Sequence, residues 1–125
     1  MPLGPPILAV EGVTKRFGPN TVLNNVTLSI GAQEIRAICG ENGAGKSTLV
    51  KVFTGVHQID GGVVLVDGQP TAIPSPLHAQ ELGIALVAQE LSLAPALSVL
   101  DNIWLGNRNV PLFHRRKEFR NRARA

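Results

Sequence analysis

The sequence predicts an α/β fold with an antiparallel β subdomain at its N-terminus. Three observations carry that prediction. Strand-like segments with apolar alternation fill the first 40 residues. A glycine-rich loop, Gly40–Ser47, stands between the last of them and a helical pattern. Farther on, Ile84-Ala-Leu-Val87 is apolar on both faces, the pattern of a strand buried in a parallel sheet.

Leu8-Ala-Val-Glu-Gly-Val13 is short, apolar and β-branched, and reads as the first strand. Gly18-Pro19-Asn20 is turn chemistry. In the next segment Val22, Val26, Leu28 and Ile30 fall on even positions, which suits a strand with one buried face. Gly31-Ala32-Gln33 marks a second turn, and Ile35–Cys39 reads as a third strand with Ile35, Ala37 and Cys39 on one side. After the glycine-rich loop, Thr48, Leu49, Val52 and Phe53 share one helical face, and Gly55 stops that helix.

Val63–Val66 reads as a strand closed by Asp67-Gly68. Ser75 and Pro76 are the cap and first residue of a short helix that Gly83 ends. Gln89–Leu97 reads as a loop. Ser98-Val-Leu-Asp101 is a capping box that opens a helix over 99–105, closed by Gly106. Beyond the linker Asn107–Pro111, the chain from His114 reads as a basic helix. It reaches Ala125 with no stop signal, the pattern expected of a chain cut inside a helix.

A chain of 125 residues holds one small domain with a real core, and its 44% hydrophobic and 17% charged residues exclude disorder. The longest apolar run, Ile84–Ala88, is far short of the ~18 residues a membrane span needs. The N-terminus has no basic residue ahead of its short apolar stretch, so it does not read as a secretory signal. One cysteine, Cys39, forms no internal disulfide; it reads as a small buried residue and fits a reducing cytoplasm.

The net charge of +3 hides an asymmetry. Residues 1–107 carry 5 Lys and Arg against 8 Asp and Glu, net −3, while 108–125 carry 7 against 1, net +6. The basicity belongs to the tail, which reads as a solvated helix face, so the whole chain is not a nucleic-acid binder by composition.

Gly40, Gly45, Lys46 and Ser47 satisfy G-x-x-x-x-G-K-[ST], with a predicted strand before and a helix after. Glycines let backbone N–H groups close round a triphosphate, and the helix opening at Lys46 turns its positive end to the same place. Lys46 supplies a full charge to the terminal phosphates, and the Ser47 hydroxyl joins the shell of a Mg²⁺ ion. Glu41, an acid inside an anion-binding loop, is expected to point outward.

With that loop in hand, residues 7–107 resemble the N-terminal part of an ATP-binding-cassette (ABC) transporter ATPase. Gly40-Glu-Asn-Gly-Ala-Gly-Lys-Ser-Thr-Leu49, Val87-Ala-Gln-Glu-Leu91 and Leu97-Ser-Val-Leu-Asp-Asn-Ile-Trp-Leu-Gly106 are similar, in this order, to the family's phosphate loop, its glutamine loop and the segment that follows. Within the family they are most like the ATPases of bacterial monosaccharide importers of the ribose, xylose and galactose type. The resemblance implies a P-loop NTPase (RecA-like) core beside the antiparallel β subdomain, incomplete at the C-terminus. It implies an N-terminal part of an ATP-binding domain over 1–107, and over 108–125 a basic linker and the start of a truncated helical subdomain.

The resemblance also implies site residues. Phe17 takes the place of an aromatic that stacks on adenine, with Val22 beside the base. Gly40, Glu41, Asn42, Gly43, Ala44, Gly45, Lys46, Ser47 and Thr48 hold the phosphates, Thr48 at the α-phosphate. Ser47 and Gln89 reach Mg²⁺, and Lys46 and Gln89 are the catalytic assignments. It further implies ATP and Mg²⁺ as cofactors, a second cassette and membrane permease subunits as partners, and a periplasmic sugar-binding protein acting indirectly. No nucleic acid is expected. The place implied is the cytoplasmic face of the bacterial inner membrane, peripheral, with no transmembrane segment and no signal peptide.

Two positions depart from the family pattern: Gln33 stands where Gly is usual, and Ala88 where His is frequent. The family's metal aspartate, water-activating glutamate, signature motif and switch histidine are not found in these residues. Asp60, Asp67 and Asp101 lack the long apolar strand that precedes the metal aspartate, and His57, His78 and His114 read as surface residues. The 125 residues alone are therefore expected to be inactive, while the parent protein is expected to be an ATPase powering sugar import. A non-catalytic nucleotide-binding fragment and, less favoured, another P-loop kinase stay open as alternatives.

Overall fold

The computed structural model describes residues 5–89 and 92–105. They divide between two compact units, Met1–Val87 and Ala88–Ala125. Gly106, the linker and the basic tail lie outside the described residues, as do Glu90 and Leu91 of the glutamine-loop segment.

The first unit is built on a four-stranded antiparallel sheet. Strands β1 (Pro6–Phe17) and β2 (Asn20–Gly31) form a hairpin through Gly18-Pro19. Both are longer than their sequence patterns, because each strand supplies the other with a hydrogen-bonding partner along most of its length. Strand β3 (Gly61–Val66) pairs with the other edge of β1, and the two-residue β4 (Gln69–Pro70) follows the Asp67-Gly68 turn, giving the order β2-β1-β3-β4.

The pleat of β1 is interrupted at Gly12. The register with β2 shifts between Val10 and Val13, and the Gly12 N–H donates to Thr27 Oγ1 at 3.0 Å rather than to the ladder. Such a bulge changes which face a side chain takes. Val10 and Val13, three residues apart, accordingly both reach the core at 0% exposure. The bulge also brings two backbones together: a Cβ on Gly62, whose φ is +84°, would lie 2.5 Å from the carbonyl carbon and oxygen of Gly12.

One face of the sheet is covered by helix α1 (Lys46–Phe53), whose Leu49, Val52 and Phe53 are buried at the i, i+3, i+4 spacing of a single helical face. They cluster with Val10, Val13, Leu23 and Val64 of the sheet, and Ile73 and Ala79 complete the core. Helix α2 (Pro76–Glu81), which carries Ala79, starts as its sequence requires: the Ser75 side chain accepts from the His78 N–H, with Pro76 at the first helical position.

Two predicted strands are not formed among the described residues. Residues 34–41 and 84–88 have no regular secondary structure, Ile35 is fully exposed, and Val87 is 90% exposed. The physical reason is that a parallel strand exists only with neighbours in register, and the four paired strands are all antiparallel. Cys39, expected to be buried, is exposed for the same reason.

The second unit holds helix α3 (Val99–Trp104). Ser98 caps it as the capping box predicts, accepting from the Asp101 N–H at 3.1 Å while its hydroxyl donates to Asp101 Oδ2 at 2.6 Å. The Asn102 side chain reaches back to the loop before it, accepting from the Ala94 N–H at 2.8 Å and donating to the Ala94 carbonyl at 3.1 Å. Among the described residues no helix is long and apolar enough to cross a membrane.

Candidate functional site

The glycine-rich loop is laid against β2 through one residue. Gly45 is buried with a φ of +86°, and a Cβ there would lie 2.8 Å from both Leu23 Cδ2 and the Val22 carbonyl oxygen. An L side chain fails on both counts, conformation and space. Upstream, the Ala44 N–H donates to the Glu41 carbonyl at 3.2 Å, so the loop is a tight turn feeding α1.

Gly45 is also the N-cap of α1, and it brings no capping side chain. The first bond into the helix runs from the Leu49 N–H to the Gly45 carbonyl at 2.9 Å. The amides of Lys46, Ser47 and Thr48 thus remain as the donors that every helix N-terminus leaves over. No acidic side chain lies in this first turn to offset their partial positive charge. Ser47 is exposed there, and Thr48 is half-buried.

Lys46 arches back over the loop. Its Nζ donates to the carbonyl oxygens of Gly40 and Glu41, at 2.7 Å each. A full positive charge is therefore held at the mouth of the turn, beside the free end of α1. The side chain of Glu41 is exposed, as expected for an acid in this loop. Glycines, a helix end with leftover donors and a held ammonium are an arrangement able to attract an anion.

The aromatic residue stands at the end of β1. Phe17 is 41% exposed and pairs in register with Asn20. Val22, two residues farther along β2, packs against Gly45: a Cβ on that glycine would sit 3.6 Å from Val22 Cγ1. The hairpin end and the phosphate loop are thus joined through Val22 and Leu23. Lys15 Nζ lies over the Phe17 ring, 5.3 Å from its centroid, and pairs with Asp60 Oδ2 at 3.3 Å. Asp60 also accepts from the Arg16 N–H at 2.6 Å, and that backbone bond, with Lys15 beside it, lowers its carboxyl below the usual value of 3.8.

One residue beside Phe17 was not singled out by its sequence context. His57 is half-buried, and its ring centroid lies 5.0 Å from that of Phe17, with planes at 72°. This corrects its reading as a surface residue. No spacing rule predicts the contact, because the partner lies on another element far earlier in the chain. Gln89, by contrast, is an exposed residue of the second unit. Phe17, Val22 and residues 40–48 all belong to the first unit.

Comparison with known proteins agrees with this geometry. A family model described as "ABC transporter" matches residues 23–125. The chain is 48% identical over 101 residues to the ribose import ATP-binding protein RbsA of Corynebacterium glutamicum, an alignment covering 81% of this chain and 19% of that protein. It is 50% identical over 99 residues to a putative ribose/galactose/methyl galactoside import ATP-binding protein of Burkholderia ambifaria, covering 79% of this chain and 19% of the relative. The chain thus spans about a fifth of the length of the curated relatives it matches.

Among solved structures, a nucleotide-free ATP-binding cassette from an ABC transporter superposes with a TM-score of 0.75 at 29% identity, over 93% of this chain and 46% of that one. An ATP-binding cassette of an ABC transporter in its ADP conformation gives 0.60 at 33% identity, over 62% and 31%.

Proposed function

The chain belongs to the ABC transporter family, and from that premise we propose that it binds Mg-ATP and is part of an ATP-binding subunit driving sugar import. The single observation that carries the proposal is the Lys46 ammonium, held 2.7 Å from two loop carbonyls beside an uncapped helix N-terminus. That arrangement concentrates donors and positive charge where a triphosphate fits, with residues 40–48 as its cradle and Thr48 at the α-phosphate. Phe17 stacks on the base, and Val22 flanks it.

Among the described residues no three His, Cys, Asp or Glu gather into a metal cage. From the phosphate-loop motif, the Ser47 hydroxyl and the phosphate oxygens are the proposed ligands of Mg²⁺, and the family resemblance adds Gln89 in the parent protein. The reading of the parent protein as a sugar-import ATPase rests on the relatives, which are named as ribose and as ribose, galactose and methyl galactoside import proteins. It extends to a second cassette, membrane permease subunits and, indirectly, a periplasmic sugar-binding protein as partners. The proposed place of work is peripheral, on the cytoplasmic face of a bacterial inner membrane. Residues 1–107 are taken as part of the ATP-binding domain and 108–125 as a basic linker into a helical subdomain.

For the 125 residues alone we propose binding without turnover. The loop positions phosphate, but its one acid, Glu41, contacts Lys46 only through its backbone carbonyl. A water-activating base and transition-state charge stabilisation are each worth orders of magnitude in rate. Calorimetric titration with Mg-ATP and a phosphate-release assay test both halves: binding is expected, with no release above background. Absence of ATP binding overturns the site. A steady-state rate that Lys46→Ala abolishes overturns the inactivity.

A further inference from the structure

The aromatic on β1 and the helix fed by the phosphate loop are tied together by one imidazole. At the end of α1 the chain turns at Gly55, and the N–H groups of Val56 and His57 both donate to the Lys51 carbonyl, at 2.9 and 3.1 Å. His57 is thereby anchored to the last turn of α1. Its ring meets Phe17 at 5.0 Å between centroids with an interplanar angle of 72°, an edge-on contact that the ring quadrupoles favour. It also lines a cavity of about 90 Å³ with Val52, Ile59 and Val64, so it sits against the apolar core rather than in open solvent. Lys15 Nζ, 5.3 Å from the Phe17 centroid, is a second neighbour of that ring.

We propose that His57 is a positioning residue for nucleotide binding: it braces Phe17 edge-on, keeping the ring set for a purine base and tying that platform to α1. The inference rests on the reading of the loop as an ATP site. Phe17 ends a strand and remains 41% exposed, so without a brace its ring samples other rotamers. A ring that must be ordered on binding costs affinity, and a ring already held does not. The effect of His57 is therefore confined to recognition of the base. The phosphate loop, built from other residues, keeps its own affinity.

The test compares two probes, ATP and inorganic tripolyphosphate, titrated into the full 125-residue chain with Mg²⁺. His57→Ala is expected to weaken ATP binding about 2- to 10-fold, the range of an aromatic pair, and to leave tripolyphosphate binding unchanged. His57→Tyr, which restores an aromatic ring, is expected to recover most of the loss. Circular dichroism identifies folded variants, and His57→Gln, polar and without a ring, replaces His57→Ala if the alanine chain does not fold. Two results overturn the proposal: unchanged ATP affinity in a ringless variant, or equal losses for ATP and tripolyphosphate. A wild-type chain that binds neither probe defeats the ATP-site reading itself, a result distinct from normal binding that ignores His57.

Discussion

The ammonium of Lys46 donates to the carbonyl oxygen of Gly40 at 2.7 Å, a bond that closes the phosphate loop across its own mouth. The Glu41 carbonyl shares the same lysine at the same distance. A neutral carbonyl is a weaker acceptor for an ammonium than a phosphate oxygen, because the phosphate oxygen adds the Coulombic attraction of its own negative charge. On the proposed reading of the loop as an ATP site, its cation is expected to be drawn off the two carbonyls when a triphosphate binds.

Lys46→Ala therefore weakens Mg-ATP binding by at least about 1.5–3 kcal/mol, the worth of a hydrogen bond to a charged group. Isothermal titration calorimetry reads this directly. Superimposable curves for wild type and variant would exclude Lys46 from the site.

Gln33→Gly stabilises the chain. Gln33 sits at φ +58°, in the left-handed region where a side chain is strained, after the turn that ends β2. Glycine relieves that strain but adds freedom to the unfolded chain, so the net gain is about 0.5–1 kcal/mol. Thermal unfolding followed by circular dichroism is expected to show a rise of a few degrees.

Gly62→Ala is expected to be severely destabilising, beyond ~3 kcal/mol. The new Cβ would lie 2.5 Å from the Gly12 backbone and take a φ of +84°, so either the bulge or the β1–β3 pairing must give way. Urea unfolding measures the loss, and a midpoint within error of wild type would contradict the close approach.

Asp60 makes stability depend on acid. Its carboxyl is held below the usual 3.8, first by the Arg16 N–H and then by Lys15. A carboxyl with a depressed folded-state pKa contributes fully above its unfolded value and loses that contribution as pH falls through the folded value. Asp60→Asn should therefore lower the melting temperature at pH 7, with the difference closing below pH 3.8. A constant difference across that range would show the charge to be irrelevant.

The isolated chain is expected to self-associate or to be marginally stable. Ile35 is fully exposed and Val87 is 90% exposed, in two segments that carry strand-like sequence outside any strand ladder. Such segments template pairing with another copy. Light scattering after size exclusion tests this. A monodisperse monomer melting cooperatively at about 45–65 °C would refute it.

What the sequence made legible was local. The hairpin turn at Gly18-Pro19, the Ser75 and Ser98 caps and the loop 40–47 each carry their physics within a few residues, and each is found where expected. Ile35–Cys39 and Ile84–Val87 carry strand patterns yet form no strand, because alternation and apolarity report what a strand would bury, not whether a partner lies alongside. The Gly12 bulge had a signal, a glycine inside a strand pattern, but its depth depends on Gly62 across the sheet. The Phe17–His57 contact had none, since it exists only once α1 has docked on the sheet.

The position of β1 in the middle of the order β2-β1-β3-β4 has a consequence in time. Its partner β2 follows at once, and a hairpin closes in about 1–10 μs. Its other partner, β3, begins only at Gly61, and a ribosome making about 5–20 residues per second needs about 1.5–6 s to extend the chain from Gly31 to there. Throughout that interval the nascent hairpin shows one bare edge of β1, and the phosphate loop and α1 emerge before the sheet they pack against is complete. During synthesis, then, the glycine-rich loop precedes its own foundation by seconds, and through that time the bare edge of β1 is open to mispairing.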